Sequence, residues 1–361
     1  MEDIHRATRR YEAWLGGLIP LVRADLRLKH QRMREGPFFF MRATFYRWCQ
    51  LWRARARELG DVGRAAPVTA VGDLHLENFG TWRDSDGRLV WGINDFDETT
   101  TLPWTQDLVR LAASAHLAIW ADHLALRRRS ACDAILEGYR AGLEAGGRPF
   151  VLEETHGWLR DVATSELRHP TVFWERISRL KLAPDIDQAA ASAIARAMPS
   201  PDVRIRYTRR VAGLGSLGRP RFVGVTDWRG GWLAREAKAT APSAWVWASG
   251  SDARAAADYT KIITQAIRVP DPTVKVVGGW IVRRLAPHCT RIELGDLPSS
   301  RDEERLLFAM GFETANIHLG TPRARAVLRR QLAARRGPWL HEAAKAMTGD
   351  VIREWKEWRA G

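Results

Sequence analysis

The sequence predicts an α+β chain in which a helix-rich part comes first, a strand-rich segment is set into it, and helices return at the end. Three observations give this. Apolar residues recur at helical spacing over 4–35 and through most of 104–200; the pattern turns to short strands and glycine-bearing turns over 205–285; helical spacing resumes from 301. The divisions that follow are 1–204, 205–290 and 291–361. With 361 residues and 45% hydrophobic content, the chain can bury more than one core.

The first stretch carries Tyr11, Trp14, Leu15, Leu18, Ile19, Leu21, Val22 and Leu26 on one helical face and reads as one or two helices ended by Gly36-Pro37. Phe38-Phe39-Phe40-Met41-Arg42 follows, then a helical stretch from Ala43 to about Leu59. The Phe38 to Phe40 run is expected to pack beneath the polar loop that comes next, and Arg42 to face either a phosphate or a carboxylate.

That polar loop is the most informative part of the chain. Gly72-Asp73-Leu74-His75-Leu76-Glu77-Asn78-Phe79-Gly80 is followed, seventeen residues beyond Asn78, by Asp95 in Ile93-Asn94-Asp95-Phe96-Asp97-Glu98. A short loop between two strands lets Asp73 and Asn78 project from opposite ends of one turn, and a strand ending before Asp95 brings a carboxylate beside Asn78. Kinase-like phosphotransferases use this spacing, with one Asp directed at the acceptor hydroxyl and an Asn and a second Asp directed at Mg²⁺. Amide and carboxylate oxygens are the hard ligands that Mg²⁺ prefers. The plain alternative is a β-hairpin with polar ends, turning at Asp84-Ser85-Asp86-Gly87. A structural hairpin, however, has no need to crowd Asp73, His75, Asn78, Asp95, Asp97 and Glu98 at one end. Carboxylates this close repel one another, and a divalent cation resolves the repulsion.

Pro103 and Trp104 open a long apolar helix with Asp107 in its first turn, where the helix dipole favours a carboxylate. Asp107 is expected to brace the preceding loop. Residues 115–200 continue as helices with breaks near Gly146-Gly147 and Pro184.

Strands are then expected at 207–211, 221–226, 231–237, 274–277 and 280–285. Between the first two lies Gly213-Leu214-Gly215-Ser216-Leu217-Gly218. The pattern alone is weak in a chain with 29 glycines. A dinucleotide-binding unit needs a helix directly after the glycines, whereas Arg219 to Val225 reads as a strand. A glycine loop between two antiparallel strands is the protein-kinase arrangement. Lys238 ends the following strand, one of only seven lysines in an arginine-dominated chain. Its ammonium suits phosphate as a flexible point charge. Protein kinases pair that lysine with a glutamate on the next helix; residues 251–268 contain none, which leaves Asp252 or Asp258 for the role.

These parts stand in an unusual order, with the catalytic loop at 73 and the glycine loop at 213. They fit a kinase-like two-lobe fold that is circularly permuted: the helical lobe comes first, the strand-rich nucleotide lobe follows, and 291–361 returns to the helical lobe. Permutation is tolerated where termini lie at the surface. The helix from Arg305 ends Ala315-Asn316-Ile317-His318, which resembles the "Leu-Ala-x-x-His" helix that precedes the catalytic loop in aminoglycoside-phosphotransferase-like enzymes.

Taken together, the Asp73 loop, Asn94 to Glu98, Pro103 to Ser114, Lys238 with Ser243, and Phe38 to Arg42 resemble the bacterial family of unknown function DUF2252, which is similar to protein kinases and aminoglycoside phosphotransferases. The likeness runs over most of the chain. It implies a kinase-like fold, ATP and Mg²⁺ as cofactors, Asp73 as the catalytic base, and Asn78, Asp95 and Asp97 as metal ligands. It also implies Lys238 and the loop residues Gly213, Gly215, Ser216 and Gly218 as nucleotide contacts. His75 stands where many small-molecule phosphotransferases have a histidine, either on a phosphoryl oxygen or bracing the loop. The activity implied is transfer of the ATP γ-phosphoryl group to a hydroxyl of an unidentified acceptor.

Other readings stay open. Transfer of AMP would follow if ATP bound in the opposite sense, and a nucleotide-binding pseudokinase or regulator would follow if the lysine lacks its partner. Asp73-Leu74-His75 is also an Asp-x-His, but no Gly-Asn-His accompanies it as a two-metal phosphoesterase requires. The net charge of +14 is spread along the chain in clusters such as Arg127-Arg128-Arg129, so an anionic nucleotide or substrate accounts for it better than nucleic acid does. Cys49, Cys132 and Cys289 are too few and too scattered for a disulfide framework or a zinc motif. No membrane span or signal peptide is read, and a cytoplasmic location is expected. Trp158, Trp174, Trp245 and Trp247 are candidate walls of an acceptor pocket.

Overall fold

The computed structural model describes residues 2–153, 156–164, 169–251, 259–289 and 302–361. The N-terminal apolar pattern resolves into α1 (Ile4–Gly16), capped by the Asp3 carboxylate accepting from Arg6 N at 2.8 Å, and α2 (Arg23–Glu35). Pro37 at the first helical position starts α3 (Pro37–Ala43), and α4 (Phe45–Arg55) follows. Next come β1 (Pro67–Ala70), a single 3₁₀ turn (Leu76–Asn78), β2 (Phe79–Arg83), β3 (Leu89–Ile93), β4 (Thr100–Pro103), α5 (Trp104–Trp120) and α6 (Arg128–Ala145). The segment expected to continue as helices contains β5 (Phe150–Val151) before α7 (Gly157–Ala163), α8 (Pro170–Ser178) and α9 (Gln188–Arg196).

The strand-rich segment forms β6 (Arg206–Arg209), β7 (Arg221–Trp228), β8 (Gly231–Ala239), α10 (Ala244–Ser249), α11 (Tyr259–Gln265), β9 (Lys275–Val277) and β10 (Trp280–Leu285). The chain ends with α12 (Glu303–His318), α13 (Ala324–Ala334) and α14 (Trp339–Ala360). The class is mixed α+β, as expected. The 290/291 division, like Asp252 and Asp258, lies outside the described residues.

Among the described residues the strands make three sheets. β1 pairs with β4, β2-β3-β5 form a second sheet, and β6-β7-β8-β10-β9 form a five-stranded antiparallel sheet drawn wholly from 206–285. Both faces of the larger sheet are covered. α9 lays Ala190, Ala193 and Ile194 against Ala237 and Val282, while Phe173 and Ile177 of α8 pack with Val223, Val225, Ala234 and Leu285.

The main core surrounds α5, in which every residue from Trp104 to Ala118 is buried. α12 and α6 approach most closely at Gly138 and Gly311, where a Cβ would run into the backbone carbonyls of Phe308 and Ile135. α2 lies against the 213–218 loop: Val22 N donates to Gly218 O at 2.8 Å, Lys29 Nζ to Gly215 O at 3.0 Å, and Arg209 pairs with Asp25. Cys49, Cys132 and Cys289 are all buried free thiols. Among the described residues, no helix is long and apolar enough to cross a membrane.

Candidate active site

The loop after β1 turns at Gly72, whose φ of +85° places it in the left-handed region, and a Cβ there would run into Glu98 O. Asp107 fixes this turn from the first turn of α5. One carboxylate oxygen accepts from Val71 N at 2.7 Å and the other from Gly72 N at 2.9 Å, while His318 Nε2 at the end of α12 lies 3.1 Å from the first. The expected brace is therefore present, completed by a histidine from a helix far along the chain. Asn78 closes the loop by donating from Nδ2 to Asp73 O at 2.7 Å, and Asn94 N donates to Asn78 O at 2.8 Å, which ties the loop to the acidic turn after β3. His75 caps the 3₁₀ turn, its Nδ1 accepting from Glu77 N at 3.2 Å.

Asp73, His75, Asn78, Asp95 and Asp97 line one cleft together with Gly213, Gly215, Ser216 and Arg283. Segments more than a hundred residues apart in sequence thus face each other across it. The glycine loop bends through positive φ at Gly213 (+78°) and Gly218 (+100°), and the Ser216 hydroxyl donates to Gly213 O at 3.2 Å while accepting from Arg221 at 2.9 Å. At Gly215 a Cβ would lie 3.3 Å from Asp73 Oδ2 and 3.0 Å from Arg42 O, a tight fit that favours glycine where the loop sits this low over the carboxylate. The free space left in the cleft is about 60 Å³.

Basic side chains occupy much of the rest. Lys238, on β8 between Arg221 and Ile281, pairs with Asp97 and lies 3.3 Å from Asp95. The partner of this lysine is thus the acidic turn itself. Arg110, one turn along α5 from Asp107, binds Asp73 Oδ1 through Nε at 2.8 Å and also through its second amino group, which donates to Met41 O as well. Its guanidinium is sandwiched between the Phe45 and Trp48 rings, 4.9 and 4.8 Å from their centroids. Arg42 pairs with Glu77 at 2.6 Å, one of the two kinds of partner expected for it. Arg219 binds Glu98 at 2.7 Å, and Glu98 also accepts from Ala244 N at 2.6 Å. Below Lys238, the fully buried Glu236 is ringed by Arg210, Arg221 and Arg283, and Arg283 reaches on to Asn94 Oδ1 at 3.1 Å.

This crowding separates the ionisation of the carboxylates. Burial pushes Asp73 above the usual range, with Arg110 opposing it. Asp95 is held below that range because Lys238, Arg283 and Arg221 outweigh its burial, while burial and the charge of Asp95 push Asp97 up. Three arginines hold Glu236 well below its ordinary value against burial. Burial brings Lys29, at the rim beside Gly215, down to about 8. Asp95 keeps a side chain 41% exposed, the most open of the acidic groups here. Asn78, Asp95 and Asp97 offer the oxygen donors that a hard divalent cation takes, so the set fits Mg²⁺ once Lys238 moves off the two carboxylates.

Residues 21–171 match the model of the DUF2252 family, described as an uncharacterized protein conserved in bacteria. The match supports the DUF2252 part of the resemblance, over less than half of the chain and not over most of it. It spans Phe38 to Arg42, the Asp73 loop, Asn94 to Glu98 and Pro103 to Ser114, and it stops before the glycine loop and Lys238. No curated protein and no solved structure matches the chain.

Sequence reasoning missed Arg110, the Arg219–Glu98 pair and the arginine ring around Glu236. Arg110 had a legible signal, a lone charge one turn beyond Asp107 in an otherwise apolar helix, and such a charge needs a buried partner. Glu236 had a weaker one, since it alternates with Ala234 and Lys238 on the covered face of a strand. The candidate wall residues do not gather here: Trp174 lines a separate groove with Trp232, and Trp247 packs on Tyr11.

Proposed function

We propose that the chain is a kinase-like phosphotransferase that moves the γ-phosphoryl group of ATP to a hydroxyl of its acceptor, on a circularly permuted two-lobe fold. The observation that carries this reading is the meeting of Asp73, Asn78, Asp95 and Asp97 with the glycine loop in one cleft, with Lys238 paired to Asp97. Two further features support it. The glycine loop joins the first and second strands of the five-stranded sheet and Lys238 lies on the third, the order of parts in a protein kinase. His318, ending α12, lies against Asp107 beside the Asp73 loop, where a permuted chain has to rejoin.

In this reading Asp73 accepts the acceptor's proton as its oxygen forms the new bond to phosphorus, and the β–γ bridging oxygen leaves with ADP. The raised Asp73 carboxyl suits a base, and Arg110 fixes its direction. Lys238 exchanges the carboxylates for phosphate oxygens, and the glycine loop amides cover the phosphates. Asn78, Asp95 and Asp97 would hold Mg²⁺, which when bound neutralises phosphate charge. A nucleotide needs several hundred Å³, so the loop has to lift from Asp73 first.

One observation favours a second reading, a nucleotide-binding regulator without transfer: Asp73 already carries a guanidinium, which weakens it as a base. The test is the thermal midpoint of the purified chain with ATP, ADP and AMP, with and without Mg²⁺, for wild type and Asp95→Asn. A Mg²⁺-dependent rise with ATP that disappears in the variant is expected. No rise with any nucleotide would refute both readings. Once binding is established, release of ADP supports phosphoryl transfer, pyrophosphate would assign AMP transfer, and no turnover with any acceptor would leave the regulator.

A further inference from the structure

Away from the cleft, three helices bring together side chains that the proposed reaction does not use. His116 projects from the C-terminal half of α5, Cys132 from the first turns of α6 and His341 from the start of α14. His116 is fully buried, Cys132 is 1% exposed, and His341 is half-buried. His116 Nε2 stands 3.3 Å from Cys132 Sγ, and one ligating atom from each of the three residues lies within 4.8 Å of the others. The two imidazole rings sit 5.3 Å apart.

A plain buried hydrogen bond between His116 and Cys132 would leave the remaining nitrogens to be satisfied elsewhere. At His341 this fails: its Nδ1 is buried with no hydrogen-bond partner among the described residues, whereas the His116 ring has a backbone contact from Arg128 beside its contact with Cys132. Unpaired buried polar atoms are uncommon in folded proteins, and an ion is one recognised reason for them. The distances agree with this. Tetrahedral zinc, with bonds of about 2.3 Å to sulfur and 2.0–2.1 Å to nitrogen, sets those two atoms about 3.5 Å apart.

We propose that His116, Cys132 and His341 bind one zinc ion, with water in the fourth position on the half-exposed His341 side. Thiolate with imidazole selects a thiophilic d¹⁰ cation over Mg²⁺, so this centre is distinct in chemistry from the oxygen donors of the cleft. The Cys132 thiol releases its proton to solvent as the zinc–sulfur bond forms. Cysteine spacing gave no zinc motif because the ligands come from three separate helices, each contributing one. Bound there, the ion ties the C-terminal helix to α5, the helix that also carries Asp107 and Arg110.

The test uses the full chain, expressed without a polyhistidine tag in zinc-supplemented medium, with metal content measured after gel filtration. About one zinc per chain is expected, falling at least tenfold in Cys132→Ser and in His341→Ala. Chelator-stripped wild type reloaded with Co²⁺ should show thiolate-to-cobalt charge-transfer absorption, absent in Cys132→Ser. Wild type that purifies without stoichiometric zinc and gives no such band with Co²⁺ overturns the proposal, as does His341→Ala with undiminished zinc. If the variants fail to fold, the cobalt spectrum of the wild type decides alone.

Discussion

Lys238 on the third strand of the five-stranded sheet holds its ammonium against the Asp97 carboxylate, with Asp95 at 3.3 Å. One cation thus touches two acids, with Arg219 also 3.8 Å from Asp97. Removing Lys238 takes the nearest cation from the buried Asp97 and leaves it facing Asp95, which costs about 3 kcal/mol or more. Lys238→Ala is therefore expected to be less stable without ligand and to bind ATP at least tenfold more weakly by calorimetry. An unchanged dissociation constant would take Lys238 out of the nucleotide site.

Asp73 on its loop and Asp95 on the acidic turn after β3 should separate binding from chemistry. Asp95→Asn is expected to abolish Mg²⁺-dependent nucleotide binding, because it removes the most open oxygen donor. Asp73→Asn should keep binding within a few-fold and remove transfer, since Asp73 faces Arg110 and not the lysine. Equal loss of ATP affinity in both variants would mean that the roles are wrongly divided.

Asp107 offers a stability test independent of any ligand. It is fully buried and accepts two backbone N–H groups while facing His318. Asp107→Ala strands those donors, and bonds to a charged acceptor contribute about 1.5–3 kcal/mol each. Urea unfolding should show a loss on the order of 4 kcal/mol. A loss below about 1 kcal/mol would contradict the bracing role.

Glu313 on α12 predicts a pH dependence. Burial pushes its carboxyl from 4.5 up to about 7, against the pull of Arg268. A carboxyl that ionises later when folded binds more protons folded than unfolded between those values, so its contribution is complete below pH 4.5 and is lost as pH climbs through 7. Each tenfold difference in proton affinity is worth about 1.4 kcal/mol, and the loss over this range approaches 3 kcal/mol. Glu313→Gln, which keeps an acceptor for one of the two donors Asn316 Nδ2 and Ile93 N, should flatten the fall in thermal midpoint between pH 5 and 8. An identical slope in both proteins would assign the dependence to other groups.

The sequence made legible those features whose chemistry is local. The spacing of Asp73, Asn78 and Asp95, the brace at Asp107 and the glycine turn between β6 and β7 are set by short stretches of chain. What it left hidden depends on partners from elsewhere. β5 is two residues long and exists because Val90 and Trp91 offer it an edge; β4 exists because β1 does. Arg110 and Glu236 take their meaning from side chains distant in sequence, and no periodicity marks a buried ion pair.

The way α2 rests on the glycine loop has a consequence for any affinity that is measured. Val22, Asp25 and Lys29 each hold a point on or beside that loop, so under the proposed function the loop must give up these contacts before a nucleotide enters. The observed dissociation constant is then the intrinsic one divided by the open fraction, and a site that is intrinsically tight reports as weak. Under that reading, whatever draws α2 aside would raise apparent affinity through the glycine loop, which makes the first thirty-five residues, Tyr11 and Lys29 of which line the cleft, a dial on the site.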